Sequence, residues 1–103
     1  MAFKDQLDMQ AIETLCQRWR IVELSLFGSA QRGELRPDSD VDVLVSFAEG
    51  AEPTLFAFSR LSRELGELLG RDVDVLTRRG VEDSRNPYRR REILSTAETL
   101  YAA

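Results

Sequence analysis

From Asp40 to Phe47 the chain alternates residue by residue, with Val41, Val43 and Val45 facing one way and Asp40, Asp42, Leu44 and Ser46 the other. Only an extended strand puts every second side chain on one face. Three β-branched residues on a single face demand a covering layer, so the strand has to belong to a sheet packed against helices. Two carboxylates share its opposite face.

The flanking segments supply that layer. From Asp5 to Trp19, Leu7, Ile12, Leu15, Cys16 and Trp19 fall on one side of a helix. Val22 to Phe27 reads as a strand, with Val22, Leu24 and Leu26 on one face and Glu23, Ser25 and Phe27 on the other, and Gly28 ends it. Ser29 to Gly33 suits a short helix, and Arg36, Pro37, Asp38 and Ser39 a turn-rich connection. After Gly50 and Pro53, the spacing of Leu55, Phe58, Leu61, Leu65, Leu68 and Leu69 predicts a helix that Gly70 terminates. Arg71 to Thr77 reads as a strand. Asn86 and Pro87 suit an N-cap and first helical residue, with Ile93, Leu94, Ala97, Leu100 and Tyr101 as the apolar stripe of a last helix.

The expected fold class is α/β (α+β), a small mixed sheet of three strands, or four, with helices packed mainly on one face. The short link between the first two strands suits an antiparallel pair, and the long helix before the third suits a crossover. With 103 residues, 43% of them hydrophobic, the chain has room for one core, so residues 1–103 are expected to form a single domain.

Composition removes several kinds of chemistry. There is no histidine, which excludes imidazole-based triads, histidine acid–base work and imidazole-ligated zinc. Cys16 is the only cysteine, so no internal disulfide or thiolate metal site is expected. A formal net charge of −4 argues against broad nucleic-acid binding, although Arg78, Arg79, Arg85, Arg89, Arg90 and Arg91 form a local basic run toward the C-terminus. That run suits phosphates, an acidic partner, or simply a solvated face. Neither a signal peptide nor a membrane span is expected, and a cytoplasmic location follows.

What chemistry remains belongs to carboxylates. Asp40 and Asp42, two apart on a strand, have Cα atoms roughly 6.7 Å apart and project from one face. Asp72 and Asp74 repeat the spacing on the next strand, and either could complete a cluster of three if the strands are neighbours. Oxygen ligands without His or Cys suit magnesium or manganese, which also bind phosphate. Taken alone, an Asp-x-Asp is more often a pair of solvated carboxylates. The odds change with Gly28-Ser29 at a strand end, where glycine lets the backbone approach a ligand, and free amides with the serine hydroxyl suit a triphosphate.

Read together, Leu26-Phe27-Gly28-Ser29-Ala30-Gln31-Arg32-Gly33 and Pro37-Asp38-Ser39-Asp40-Val41-Asp42-Val43-Leu44-Val45 resemble the DNA polymerase β-like nucleotidyltransferase superfamily. The chain's size and Gly70-Arg71-Asp72-Val73-Asp74-Val75-Leu76-Thr77 are similar to the minimal nucleotidyltransferases, the antitoxins of HEPN/MNT toxin–antitoxin pairs. The resemblance spans roughly Val22 to Thr77. It implies that Gly28 and Ser29 hold the β- and γ-phosphates of ATP, that Asp40, Asp42 and Asp74 are the catalytic and metal-binding acids, and that two Mg²⁺ ions take part. Asp74 would orient or deprotonate the attacking hydroxyl, while Asp72 sits where the family varies. Arg32 fits a bidentate hold on phosphate and equally an exposed structural arginine.

The activity so implied is transfer of AMP from ATP to a tyrosine of a HEPN toxin, with a homo-oligomer or a hetero-oligomer with the toxin both open. A stoichiometric antitoxin that occludes a HEPN ribonuclease is the alternative, followed by nucleotidyl transfer to a small molecule, whose larger enzymes carry an added helical domain. A polymerase needs basic template-handling domains beyond this length. Phe56 and Trp19 suit either base stacking or packing in the core or at a partner surface.

Overall fold

The computed structural model describes residues 7–27, 41–83 and 85–103. The expected short helix at Ser29–Gly33 and the turn at Arg36–Ser39 lie outside them. Helix α1 (Met9–Trp19) starts where the Asp8 side chain accepts from the Ala11 amide, and stops at Arg20, whose left-handed φ of 56° turns the chain into β1 (Ile21–Phe27). Strand β2 (Val41–Phe47) precedes α2 (Leu55–Leu69), which is capped by the Thr54 side chain and ends at Gly70 with φ of 72°. A positive φ there costs glycine nothing. Strand β3 (Val73–Thr77) runs directly into the one-turn helix α3 (Arg78–Glu82), and α4 (Pro87–Thr96) leads to β4 (Glu98–Ala102).

The strands form one sheet in the order β3-β2-β1-β4. β1 pairs antiparallel with β2 and β4, whereas β2 and β3 are parallel, so the crossover through α2 yields the expected mixed sheet. Gly66 lets α2 and the start of β3 meet closely. A Cβ there would lie 2.9 Å from the Arg71 carbonyl oxygen, and the Gly66 carbonyl itself accepts from the Arg71 amide at 3.1 Å.

One sheet face carries the main core, in which Ile12, Leu15 and Cys16 of α1 and Leu61, Leu65 and Leu69 of α2 pack on Leu24, Leu26, Val41, Val43, Val45 and Val75. The other face is less open than the sequence suggests. Phe27 and Leu44 are buried there under Val81 of α3 and Ile93 of α4, with Leu76, Leu94 and Ala97 around them.

Three local expectations change. Val22 does not share the face of Leu24 and Leu26: a register shift between Ile21 and Glu23 puts Ile21 in the core, 2% exposed, and leaves Val22 38% exposed. A bulge of this kind breaks strict alternation. Helix α3 was not anticipated, being too short for a periodic signal; it is announced only by Thr77, whose hydroxyl accepts from the Gly80 amide at 3.0 Å. Lastly, Leu100 and Tyr101 do not continue a helical stripe but lie in β4, where both pack against the main core. The helix stops at Thr96, whose hydroxyl bonds back to the Glu92 carbonyl at 2.8 Å, and the chain then covers the open edge of β1. Satisfying that row of unpaired backbone groups outweighs the local helical spacing.

Candidate active site

Asp42 and Asp74 occupy the second positions of β2 and β3, and the parallel ladder sets them directly side by side, in a run that pairs Val41 with Val73 and Leu44 with Leu76. Neighbouring strands lie roughly 4.8 Å apart, so two carboxylates at one level and on one face can reach a common cation. Asp42 is half-buried and Asp74 exposed. On its other side Asp42 pairs with Phe27, the last residue of β1. Three strand termini therefore meet at this end of the sheet, with the two acids between them.

Asp40, Gly28, Ser29 and Arg32 lie outside the described residues. Asp72 has a different place from Asp74. It precedes β3, is exposed, and contributes its main chain to the ladder, its carbonyl accepting from the Val41 amide at 2.9 Å. Its side chain lines an open depression with Ser62, Arg63 and Arg71 beside α2. The register thus separates two acids that the repeated spacing made equivalent.

Among the described residues no three potential ligands cluster for a metal. The paired carboxylates nevertheless fit Mg²⁺, since they are hard oxygen donors at one point of a sheet and leave room for water and phosphate oxygens. The soft alternative is remote: Cys16 is buried in the main core, and burial pushes its thiol pKa up to about 12.

The aromatic candidates separate. Trp19 packs against the core, donates its indole N–H to Glu64 at 3.2 Å and lies 5.6 Å from the Arg60 guanidinium carbon, while Arg18 also bonds Glu64. This cluster ties α1 to α2. Phe56 is 92% exposed, next to Leu55 at 83%. Of the C-terminal arginines, Arg78 bonds Glu23 at 2.6 Å and Arg79 lies 3.8 Å from Glu52. Arg90 instead lines a cavity of about 420 Å³ together with Leu76, Val81, Ile93 and Phe58. Sequence reasoning passed over this cavity because its walls come from β3 and three different helices; the one legible trace was the arginine run.

A mixed sheet that pairs two strand acids beside the end of a third strand fits a nucleotidyltransferase core. Residues 8–99 match the nucleotidyltransferase domain, and the chain belongs to that family. Within the family its likeness is to the minimal members. It is 33% identical over 79 residues to a candidate protein adenylyltransferase of Methanocaldococcus jannaschii, covering 77% of this chain and 76% of that protein. To the protein adenylyltransferase MntA of Thermococcus cleftensis it is 45% identical over 62 residues, 60% of this chain and 61% of the relative, so that match spans less than two thirds of the relative's length.

A solved structure of a candidate minimal nucleotidyltransferase shares 41% identity with a TM-score of 0.68, covering 87% of this chain and 86% of that one. Two more distant structures share the fold. One is a toxin–antitoxin with AMP-PNP, at TM-score 0.72 and 23% identity over 94% of this chain and 75% of that one. The other is a tri-AMPylated Shewanella oneidensis HEPN toxin in complex with its MNT antitoxin, at TM-score 0.62 and 21% identity over 92% and 70%. Among the described residues no helix is long and apolar enough to cross a membrane.

Proposed function

We propose that this chain is an Mg²⁺-dependent protein adenylyltransferase that moves AMP from ATP to a tyrosine hydroxyl of a HEPN-type toxin and thereby acts as its antitoxin, folding as a single domain in the cytoplasm. The observation that carries this reading is the lateral pairing of Asp42 with Asp74 at the end of the sheet where β1 finishes. Family membership and relatives named protein adenylyltransferases support it. An AMP-PNP complex among the structural neighbours supports ATP as donor, and a tri-AMPylated HEPN toxin bound to its MNT antitoxin supports the acceptor.

In this reading Gly28 and Ser29 hold the β- and γ-phosphates, and Arg32 steadies their charge. Asp40, Asp42 and Asp74 hold Mg²⁺, which when bound supplies neutralisation of the charge that develops on phosphate oxygens. The tyrosine oxygen attacks the α-phosphorus, the bond from that phosphorus to the bridging oxygen breaks, and pyrophosphate leaves in line with the attack. Asp74, on the edge strand and exposed, takes the hydroxyl proton. Asp42, half-buried between Asp74 and Phe27, keeps a fixed place in the sheet and orients the centre.

The test incubates the full chain with a HEPN partner, Mg²⁺ and each nucleoside triphosphate, and weighs both proteins intact. A gain of AMP on the partner with ATP, lost with Asp42→Asn and on chelation of Mg²⁺, is the expected result. A stable complex with no mass change would replace transfer with occlusion.

A further inference from the structure

Transfer to a protein needs a hydroxyl, and the hydroxyls of this chain differ in how far they are free to supply one. Thr14, Ser62, Ser95 and Thr96 donate to carbonyls of their own helices, while Thr54 and Thr77 accept the amides of the turns they cap. The chain has two tyrosines. Tyr101 lies in β4, paired with Leu24 and packed against the main core. Tyr88 is the opposite case, 83% exposed in the first turn of α4. Its amide donates to Asn86 Oδ1 at 3.1 Å, so the backbone is held while the phenol projects into solvent.

The course of α4 sets where that phenol stands. Arg90, two residues after Tyr88, lines the cavity with Thr77 at the end of β3 and donates to the Glu82 carbonyl of α3 at 3.2 Å. The other end of the helix feeds β4, whose Glu98 pairs with Leu26, next to Phe27 and so next to Asp42. Tyr88 therefore lies roughly 12 Å back along the helix from the carboxylate end of the sheet. Its own Asp42 and Asp74 are at the wrong end, and the site that it can enter is that of a second copy. Local charge does not steer such a meeting, because Arg85, Arg90 and Arg91 are matched by Glu82, Asp83 and Glu92 on the same stretch of chain. Concentration, not long-range attraction, sets its rate.

We infer that Tyr88 is itself an AMP acceptor, modified in trans: one copy of this chain transfers AMP from ATP to the Tyr88 hydroxyl of another. The inference rests on the transferase reading of Asp42 and Asp74. The Tyr88 oxygen of the accepting copy bonds to the α-phosphorus, the bond from that phosphorus to the bridging oxygen breaks, and pyrophosphate leaves. Asp74 of the transferring copy takes the phenol proton. A phenol carried on a helical turn that is already fixed loses little further freedom on entering a site, which favours it over a hydroxyl that must first leave a hydrogen bond to its own helix. The product is a phosphodiester, which adds one negative charge to a chain whose formal net charge is −4.

The experiment incubates the full chain alone with ATP and Mg²⁺, records its intact mass and maps the modified peptide. The expected result is AMP on Tyr88, a rate per chain that rises in proportion to chain concentration, and complete loss of the modification in Tyr88→Phe. In an equal mixture of Asp42→Asn and Tyr88→Phe chains, neither of which modifies itself, AMP appears on the Asp42→Asn chain alone. Tyr88→Phe modifies a HEPN partner as the parent does, which shows that the variant is folded and active. AMP on the partner with none on the chain, AMP on a residue other than Tyr88, or a rate independent of concentration overturns the inference and leaves the transferase reading standing. Absence of AMP from both proteins sinks the transferase reading, and the inference with it.

Discussion

Asp42 and Asp74 owe their partnership to one hydrogen-bonded register, and a one-residue slip would send the two side chains to opposite faces. Asp42→Asn and Asp74→Asn should each lower AMP transfer by about a hundredfold or more, with circular dichroism unchanged. Asp72→Asn should cost far less, because Asp72 serves the ladder through its carbonyl; the reverse ranking in initial-rate assays would mean that the wrong acid has been assigned. Ser25 is a second residue whose role is local. It is 1% exposed, and among the described residues its hydroxyl has no hydrogen-bond partner. Ser25→Ala removes a desolvated polar group and should raise stability by up to about 1 kcal/mol in thermal melts, whereas a lower midpoint would reveal a partner for the hydroxyl.

Among the elements, the junction of α2 with β3 is the tightest. Alanine in a helix is ordinarily favoured over glycine by about 1 kcal/mol, but at position 66 its Cβ would press on the Arg71 carbonyl oxygen, 2.9 Å away. Gly66→Ala should therefore lose net stability in urea titrations, by about 1 kcal/mol or more, since the obstacle is backbone and not a flexible side chain. A gain would show that the turn into β3 gives way easily. Helices α1 and α2 were legible from their helical period, with Gly70 marking the end of α2, and β2 from its unbroken alternation, whereas the bulge in β1 and the caps at Asp8 and Thr54 emerge only in the structure. β4 was not legible, since Leu100 and Tyr101 continue a helical spacing from Ile93 and Leu94, and only the open edge of β1 makes the extended form better.

For the whole molecule, the most direct consequence of burial is alkaline. Burial raises the Cys16 thiol from 9.0 to about 12, so the unfolded chain loses this proton before the folded one does. The contribution is fully present below about pH 9 and declines as pH rises toward 12, with a limiting slope of about 1.4 kcal/mol per pH unit. Urea midpoints of Cys16→Ala should fall less steeply than those of the parent between pH 9 and 11, and parallel curves would show that the thiol ionises equally in both states. The native chain should also resist iodoacetamide, because the thiolate is the reactive form and the side chain is 0% exposed.

The sequence by itself determined that strands with acids on one face must lie beneath amphipathic helices, that the chemistry available was carboxylate chemistry, and that the connections favoured a mixed sheet. These properties are local: periodicity, caps and the kinds of side chain present can all be read along the chain. Spacing alone left Asp72 and Asp74 equivalent and the family resemblance favoured Asp74; what the tertiary structure decided is the pairing register of β2 with β3 that stands Asp74 beside Asp42. It also decided the fourth strand, the burial of Ile21 in place of Val22, and the cavity beside Arg90, whose walls come from β3, α2, α3 and α4. Each of these depends on which backbone edges and apolar faces are left to be covered once the other elements have packed, and that is not a property of any one segment.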